Sequence, residues 1–218
     1  MNRETIRTRI EQIGIIPAIR LSSAEDALFA VKAIADSGIP IAEVTMTVPG
    51  AIDVISELAR DQPELIVGAG TVFDVETAHR CLDAGAKFLT STGLDIQIVE
   101  FALKHDVVVL PGALTPTEIM AAWKAGSDFV KVFPCSLLGG PTYIKALKSP
   151  FPDMRLIASG GVTQRNTADF ILAGAAAVGI GRDLVSPEAV QRRQLDWIRE
   201  LAGRYLQIVG EARSQNAM

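Results

Sequence analysis

Short apolar runs alternate along the chain with longer amphipathic stretches. The runs are Ile15–Ile19, Pro40–Met46, Leu65–Ala69, Lys87–Thr90, Val107–Leu110, Asp128–Phe133, Arg155–Ala158 and Ala176–Ile180. They are rich in β-branched residues and show little clean alternation of apolar and polar positions, the pattern of strands covered on both faces. The stretches between them have helical spacing, as in Ala27, Val31, Ile34 and Ala35, or Ile119, Ala122 and Trp123. Ser22 with Glu25 and Thr115 with Glu118 each fit a capping box, the second with Pro116 at the first helical position.

Stop signals set the period. Ser37-Gly38, Ala84-Gly85, Ala125-Gly126 and Ala173-Gly174 each end a helix just before the next run. The spacings of 47, 41 and 48 residues correspond to two strand–helix units each, because the intervening helices end near Asp61, His105 and Ser149. Eight strands alternating with helices predict an α/β protein, a (β/α)8 barrel of the TIM type, with one extra helix at each end, the C-terminal one from about Pro187 to Gly210. A doubly wound open sheet is the alternative. It requires a Gly-rich dinucleotide turn after the first strand, and Arg20-Leu21-Ser22-Ser23 is not one. No Pro/Ser-rich linker or charge block divides the chain, so residues 1–218 read as a single domain.

Composition narrows the chemistry. The 218 residues are 49% hydrophobic and 21% charged with a net charge of -4, which favours a globular domain over disorder. The start, Met1 to Gly14, lacks the apolar core of a signal peptide, and the longest weakly polar stretch, roughly Phe170 to Gly181, is shorter than the about 20 residues that cross a bilayer. No membrane association is expected. A pI near 5.3 and few aromatics argue against a nucleic-acid surface. Cys81 and Cys135 stand too far apart for a CxxC pair and cannot build a disulfide framework, which points to a reducing, cytoplasmic compartment. The two histidines, His79 and His105, both fall in helical segments, so a His-rich metal site or a Ser/His/Asp triad has little to work with. No metal or cofactor is expected, and acid/base chemistry must lean on carboxylates, lysine or hydroxyls.

A barrel of this kind places its site at the C-terminal strand ends. In the second run Glu43 stands between Ala42 and Val44, where an unpaired buried carboxylate is expensive. A salt-bridged structural glutamate is one explanation; a functional carboxylate is the favoured one. In the sixth run period two puts Phe129, Lys131 and Phe133 on one face. A lysine facing inward loses hydration, which favours the neutral, nucleophilic amine that Schiff-base chemistry needs. An outward lysine snorkelling to water is the competing reading. Both strands are even-numbered, so Glu43 and Lys131 can meet across the barrel mouth. Thr71 follows Gly68-Ala69-Gly70 at the rim, where the glycines suit either close approach or a plain tight turn. Ser159, Gly160 and Gly161 after the seventh run, and Gly181 and Arg182 after the eighth, form loops of the kind that hold phosphate in such barrels, ahead of a helix starting near Gln164 or Arg165. Plain turns, with Arg182 paired to Asp183, are the alternative.

These residues, in this order, resemble the 2-keto-3-deoxy-6-phosphogluconate (KDPG) and 4-hydroxy-2-oxoglutarate (KHG) aldolase family from about Ile15 to Val185. The resemblance rests on Glu-Val-Thr at 43 to 45, Gly-Ala-Gly-Thr-Val at 68 to 72, Pro-Gly at 111 and 112 with Thr-Pro-Thr-Glu at 115 to 118, and Lys-Val-Phe-Pro at 131 to 134. It implies a class I, metal-independent aldolase in which Lys131 forms the Schiff base and Glu43 is the general acid/base. It further implies that Thr71 and Arg20 hold the pyruvate part, that Phe133 lines the pocket, and that the protein is a homotrimer. Three departures stand out. Thr47 replaces an arginine common after Glu-Val-Thr, Thr92 replaces the proline of a common Ser-Pro-Gly, and the distal end carries Ser159-Gly160-Gly161 and Gly181-Arg182 in place of Pro-Thr-Gly-Gly and Gly-Ser. The expected substrate is a small 2-keto acid, KDPG first and KHG second. The alternatives are another sugar acid, such as the galactonate-derived analogue or an unphosphorylated one, and a barrel that binds a phosphate metabolite without turnover.

Overall fold

In a computed structural model, which describes residues 1–216, the apolar runs all pair as parallel strands. The strands are β1 (Ile15–Ile19), β2 (Ile41–Thr45), β3 (Ile66–Gly70), β4 (Phe88–Thr90), β5 (Val108–Leu110), β6 (Gly112–Ala113), β7 (Val130–Val132), β8 (Leu156–Ser159) and β9 (Ala177–Ile180). Their order in the sheet is β5-β4-β3-β2-β1-β9-β8-β7-β6. Pro111 alone separates the two edge segments, so the sheet closes on itself through the fifth run. The split is local: proline carries no N–H for the ladder, and the chain bends there, β5 pairing with β4 and β6 with β7. The result is the expected eight-unit barrel with its fifth strand broken in two.

Helices α1 (Arg3–Ile13), α2 (Ala24–Ala35), α3 (Ala51–Asp61), α4 (Val75–Asp83), α5 (Ile96–Lys104), α6 (Pro116–Lys124), α7 (Pro141–Lys148), α8 (Thr167–Leu172), α9 (Pro187–Gln191) and α10 (Leu195–Asn216) make up the rest of the regular structure, with a short 3-10 turn after β7. Gly38, Gly85, Gly126 and Gly174 all take the left-handed backbone that the stop signals require, with φ between 91 and 97°. Around Thr115 the capping box forms in full, with Pro116 in the first turn. Three boundaries differ from expectation. The cap of α2 is Ser23, whose hydroxyl accepts from the Asp26 amide, rather than Ser22. The C-terminal helix is interrupted at Arg193, where φ is 51°, so a short α9 precedes α10. The helix after the seventh run starts at Thr167 instead of near Gln164, because the Asn166 side chain accepts from the Thr163 amide and holds the intervening residues in a loop.

Alternation along the strands separates two cores. Outward residues pack under the helices, while Ile16, Ile41, Ile66, Phe88, Val108, Leu110, Phe129, Ile157 and Ala177 fill the barrel interior. Ile6 and Ile10 of α1 join that inner cluster, so α1 plugs the N-terminal end of the barrel. Each of these two buried isoleucines contributes about 1.5–3 kcal/mol by burial. With one end sealed by apolar packing, polar inward positions remain only toward the C-terminal strand ends. Among the described residues, no helix is long and apolar enough to cross a membrane.

Candidate active site

Two residues beyond Phe129 on the same face of the strand, Lys131 emerges at the top of the inner core. Its side chain is buried, and its Nζ lies 3.4 Å from Glu43 Oε1 and 3.3 Å from Thr90 Oγ1. Glu43 comes from β2 and Thr90 from β4, and the three residues are 8%, 4% and 1% exposed. Both contacts are longer than the 2.7–3.2 Å of a well-formed N–H···O bond. The amine is therefore held close to a carboxylate and a hydroxyl while keeping room to turn toward a third group.

The glycines of β3 make this arrangement possible. A Cβ at Gly70 would overlap the carboxylate of Glu43, and a Cβ at Gly68 would overlap the ring of Phe88. The close approach anticipated for Gly68-Ala69-Gly70 is thus by two side chains of the protein itself. Across the barrel, a Cβ at Gly179 would lie 2.9 Å from Ser159 Oγ.

A cavity of about 360 Å³ opens above Lys131. Nine of the eleven residues singled out from sequence line it: Lys131, Glu43, Arg20, Phe133, Ser159, Gly160, Gly161, Gly181 and Arg182. Thr71 stands one step behind the wall, where its hydroxyl accepts from Arg20 Nη2 at 3.2 Å. Thr92 lies off the cavity, with its carbonyl packed where a Cβ on Gly112 would fall. Thr47 is exposed and bonds to Thr45 at 2.7 Å, also away from the cavity.

Sequence reasoning missed Thr90 and Asp183. Thr90 was accessible to it, since period two from Phe88 points it inward. Asp183 was considered only as an ion-pair partner of Arg182, but its Oδ2 instead accepts from the Gln164 amide at 3.0 Å and from the Tyr205 hydroxyl. The cavity wall carries the basic side chains Arg20, Lys131 and Arg182 and the carboxylates of Glu43 and Asp183. A chain of net charge -4 therefore still presents two guanidinium groups, Arg20 and Arg182, in this wall to meet an anionic ligand.

Other nucleophiles compete poorly. Cys135 follows the Phe133-Pro134 pair, but burial pushes its thiol up to about 11, which keeps it protonated at neutral pH. Lys87 and Lys148 are both held below the usual lysine value by burial. Each spends its Nζ on backbone carbonyls outside the cavity: Pro63 and Leu65 for Lys87, Pro152 and Met154 for Lys148. A second cavity of about 390 Å³, beside Met46, Asp53 and Arg80, has no lysine in its wall. Among the described residues, no group of three or more His, Cys, Asp or Glu side chains is placed to hold a metal ion.

The family model described as "KDPG and KHG aldolase" matches residues 6–201. A 2-dehydro-3-deoxy-phosphogluconate aldolase of Pseudomonas aeruginosa is 35% identical over 192 residues, covering 88% of this chain and 86% of the relative. A KHG/KDPG aldolase of Escherichia coli K12 is 32% identical over 189 residues, covering 86% and 88%. Among solved structures, the KDPG aldolase of Legionella pneumophila, with pyruvate captured as a covalent carbinolamine intermediate, superposes with a TM-score of 0.85 at 30% identity. That match covers 91% of this chain and 96% of the neighbour.

Proposed function

Because the chain belongs to the KDPG and KHG aldolase family, we propose that it is a class I aldolase that cleaves KDPG to pyruvate and glyceraldehyde 3-phosphate through an imine on Lys131. The observation that carries this reading is the buried Lys131 amine 3.4 Å from Glu43 Oε1 at the floor of a cavity that Arg20 and Arg182 also line.

The amine of Lys131 attacks the C2 ketone of the substrate, and loss of water gives a protonated imine. The C3–C4 bond then breaks, its electron pair passing into the imine to leave an enamine. Glu43, acting through water, accepts the proton of the 4-hydroxyl as the aldehyde departs and returns a proton to C3. Hydrolysis of the new imine frees pyruvate and the lysine. Thr90, which shares the amine with Glu43, orients Nζ toward the ketone. Arg20, braced by Thr71, meets the substrate carboxylate, and Phe133 covers the pyruvate part. Ser159, Gly160, Gly161, Gly181 and Arg182 form the distal end, which receives the phosphate. Arg182 supplies a guanidinium that suits a carboxylate as well as a phosphate, which favours KHG, cleaved to pyruvate and glyoxylate, as a second substrate. The same reading makes the protein a cytoplasmic homotrimer that needs no metal or cofactor, since the lysine imine is the electron sink.

Pyruvate with borohydride tests the reading directly. The expected result is a covalent adduct mapped to Lys131 and absent from Lys131→Met. An adduct that persists in Lys131→Met, or none in the wild type, overturns it.

A further inference from the structure

Asp183 is a cavity residue that the reaction above does not use. It sits in the loop after β9, beside Gly181 and Arg182, and its Oδ2 accepts from the amide of Gln164 in the loop after β8. The second donor is Tyr205 of α10, whose side chain is fully buried and whose hydroxyl ends on the same oxygen.

Each loop is braced within itself. In the first, Asn166 accepts from the Thr163 amide at 2.8 Å and donates to the Gly161 carbonyl at 3.0 Å. In the second, the amides of Leu184 and Val185 both turn back onto the Gly181 carbonyl. Among the described residues, no side-chain hydrogen bond other than that of Asp183 joins the two loops. A ligand group gripped by both loops depends on their spacing, and a displacement of about 1 Å is enough to cost a large factor in rate or binding.

The choice of tyrosine at position 205 points the same way. A phenylalanine would fill the same apolar slot, whereas a buried hydroxyl is tolerated only when it is paired. Burial and the bond to Asp183 together hold the Tyr205 proton well above the usual phenol range, so the hydroxyl stays a donor. Two donors on one oxygen also fix where the Asp183 carboxylate sits between the loops.

Resting on the aldolase reading, we propose that Asp183 and Tyr205 are positioning residues for the distal anionic group of the substrate, setting the spacing of the two glycine loops and fixing the carboxylate between them. The contribution is specific to the phosphorylated end and is not exerted on the lysine.

The test compares KM for KDPG with KM for unphosphorylated 2-keto-3-deoxygluconate, alongside pyruvate–borohydride trapping. Tyr205→Phe and Asp183→Ala are expected to raise KM for KDPG about tenfold, in the range expected for a lost charge-assisted hydrogen bond. KM for the unphosphorylated substrate and trapping in Tyr205→Phe are expected to stay unchanged. Asp183→Asn keeps an oxygen for both donors and is expected to remain within about twofold of wild type, since both hydrogen bonds persist. An equal rise in both KM values, no rise in either, or a wild-type enzyme that traps pyruvate yet shows no preference for the phosphorylated substrate overturns the proposal. Absence of trapping in the wild type overturns the aldolase reading itself and this one with it.

Discussion

Gly70 matters for the side chain that occupies the space beside it. Glu43 leans into the volume that a Cβ at position 70 would fill, and from there it reaches Lys131. Gly70→Ala is therefore expected to displace the carboxylate from the amine. Overpacking of this kind costs about 1–3 kcal/mol in stability, and with Glu43 in the acid/base role proposed for it, its displacement is expected to lower turnover by roughly 10²- to 10⁴-fold. Gly93→Ala is the control, because nothing lies within 4 Å of a Cβ there; its kcat and melting temperature should match the wild type. A Gly70→Ala enzyme with wild-type kcat would mean that the carboxylate position does not limit the reaction. At this scale the lysine and the glutamate were legible because each is a charged residue in an apolar run. Thr90 was less so, since a threonine at a strand end carries no such contrast. Nor could Asp183 be resolved as a link between loops: its partners Gln164 and Tyr205 lie 19 and 22 residues away.

Helix α6 shows how far local signals carry at the scale of an element. The Thr115 hydroxyl receives the Glu118 amide, and the Glu118 carboxylate receives the amides of Leu114 and Thr115. These bonds hold the Glu118 carboxyl below its ordinary value of 4.5. With the folded value depressed, the stabilisation is complete above about pH 4.5 and is lost as pH falls through the lower folded value. Thr115→Ala should cost about 1 kcal/mol at neutral pH, measured by urea denaturation. Glu118→Gln should remove the part of the acid destabilisation that this group contributes, and an unchanged acid limb would contradict that assignment. The capping box was readable from four consecutive residues. The break at Pro111 and the interruption at Arg193 were not: the first depends on which neighbour each half of the strand pairs with, and the second on where α10 must run.

For the whole molecule, closure of the barrel base is the feature that local pattern does not reach. Arg213 of α10 donates to the carbonyls of Glu11 and Gln12 at the end of α1, and at 3.0 Å to that of Ala176 just before β9. The C-terminal helix thereby clasps the N-terminal plug against the sheet, with a cation at the C-terminal end of α1 where the helix dipole favours it. Arg213→Met is expected to cost about 2 kcal/mol, the scale of charged hydrogen bonds left unmade, and to lower Tm by roughly 4–8 °C. Arg213→Lys should recover only part of this, because one ammonium nitrogen does not span the carbonyls that the two guanidinium nitrogens reach. Cleavage measured below the transition should be unaffected in both, since Arg213 lies at the opposite end of the barrel from Lys131. A fall in kcat with unchanged Tm would contradict the purely structural role.

The number of strand–helix units, their parallel order and the end of the barrel that carries the chemistry all follow from short-range properties: apolar runs covered on both faces, glycines at helix stops, and a lysine and a glutamate where only apolar residues are otherwise tolerated. Those properties are set by residues a few positions apart, so they can be read from the chain before it folds. Closure of the sheet through a broken fifth strand, the placing of Glu43 and Thr90 on the Lys131 amine, and the linking of two glycine loops by Asp183 and Tyr205 depend on groups 19 to 88 residues apart. Such contacts are set by how the barrel's strands and helices pack, and only the tertiary structure decides them.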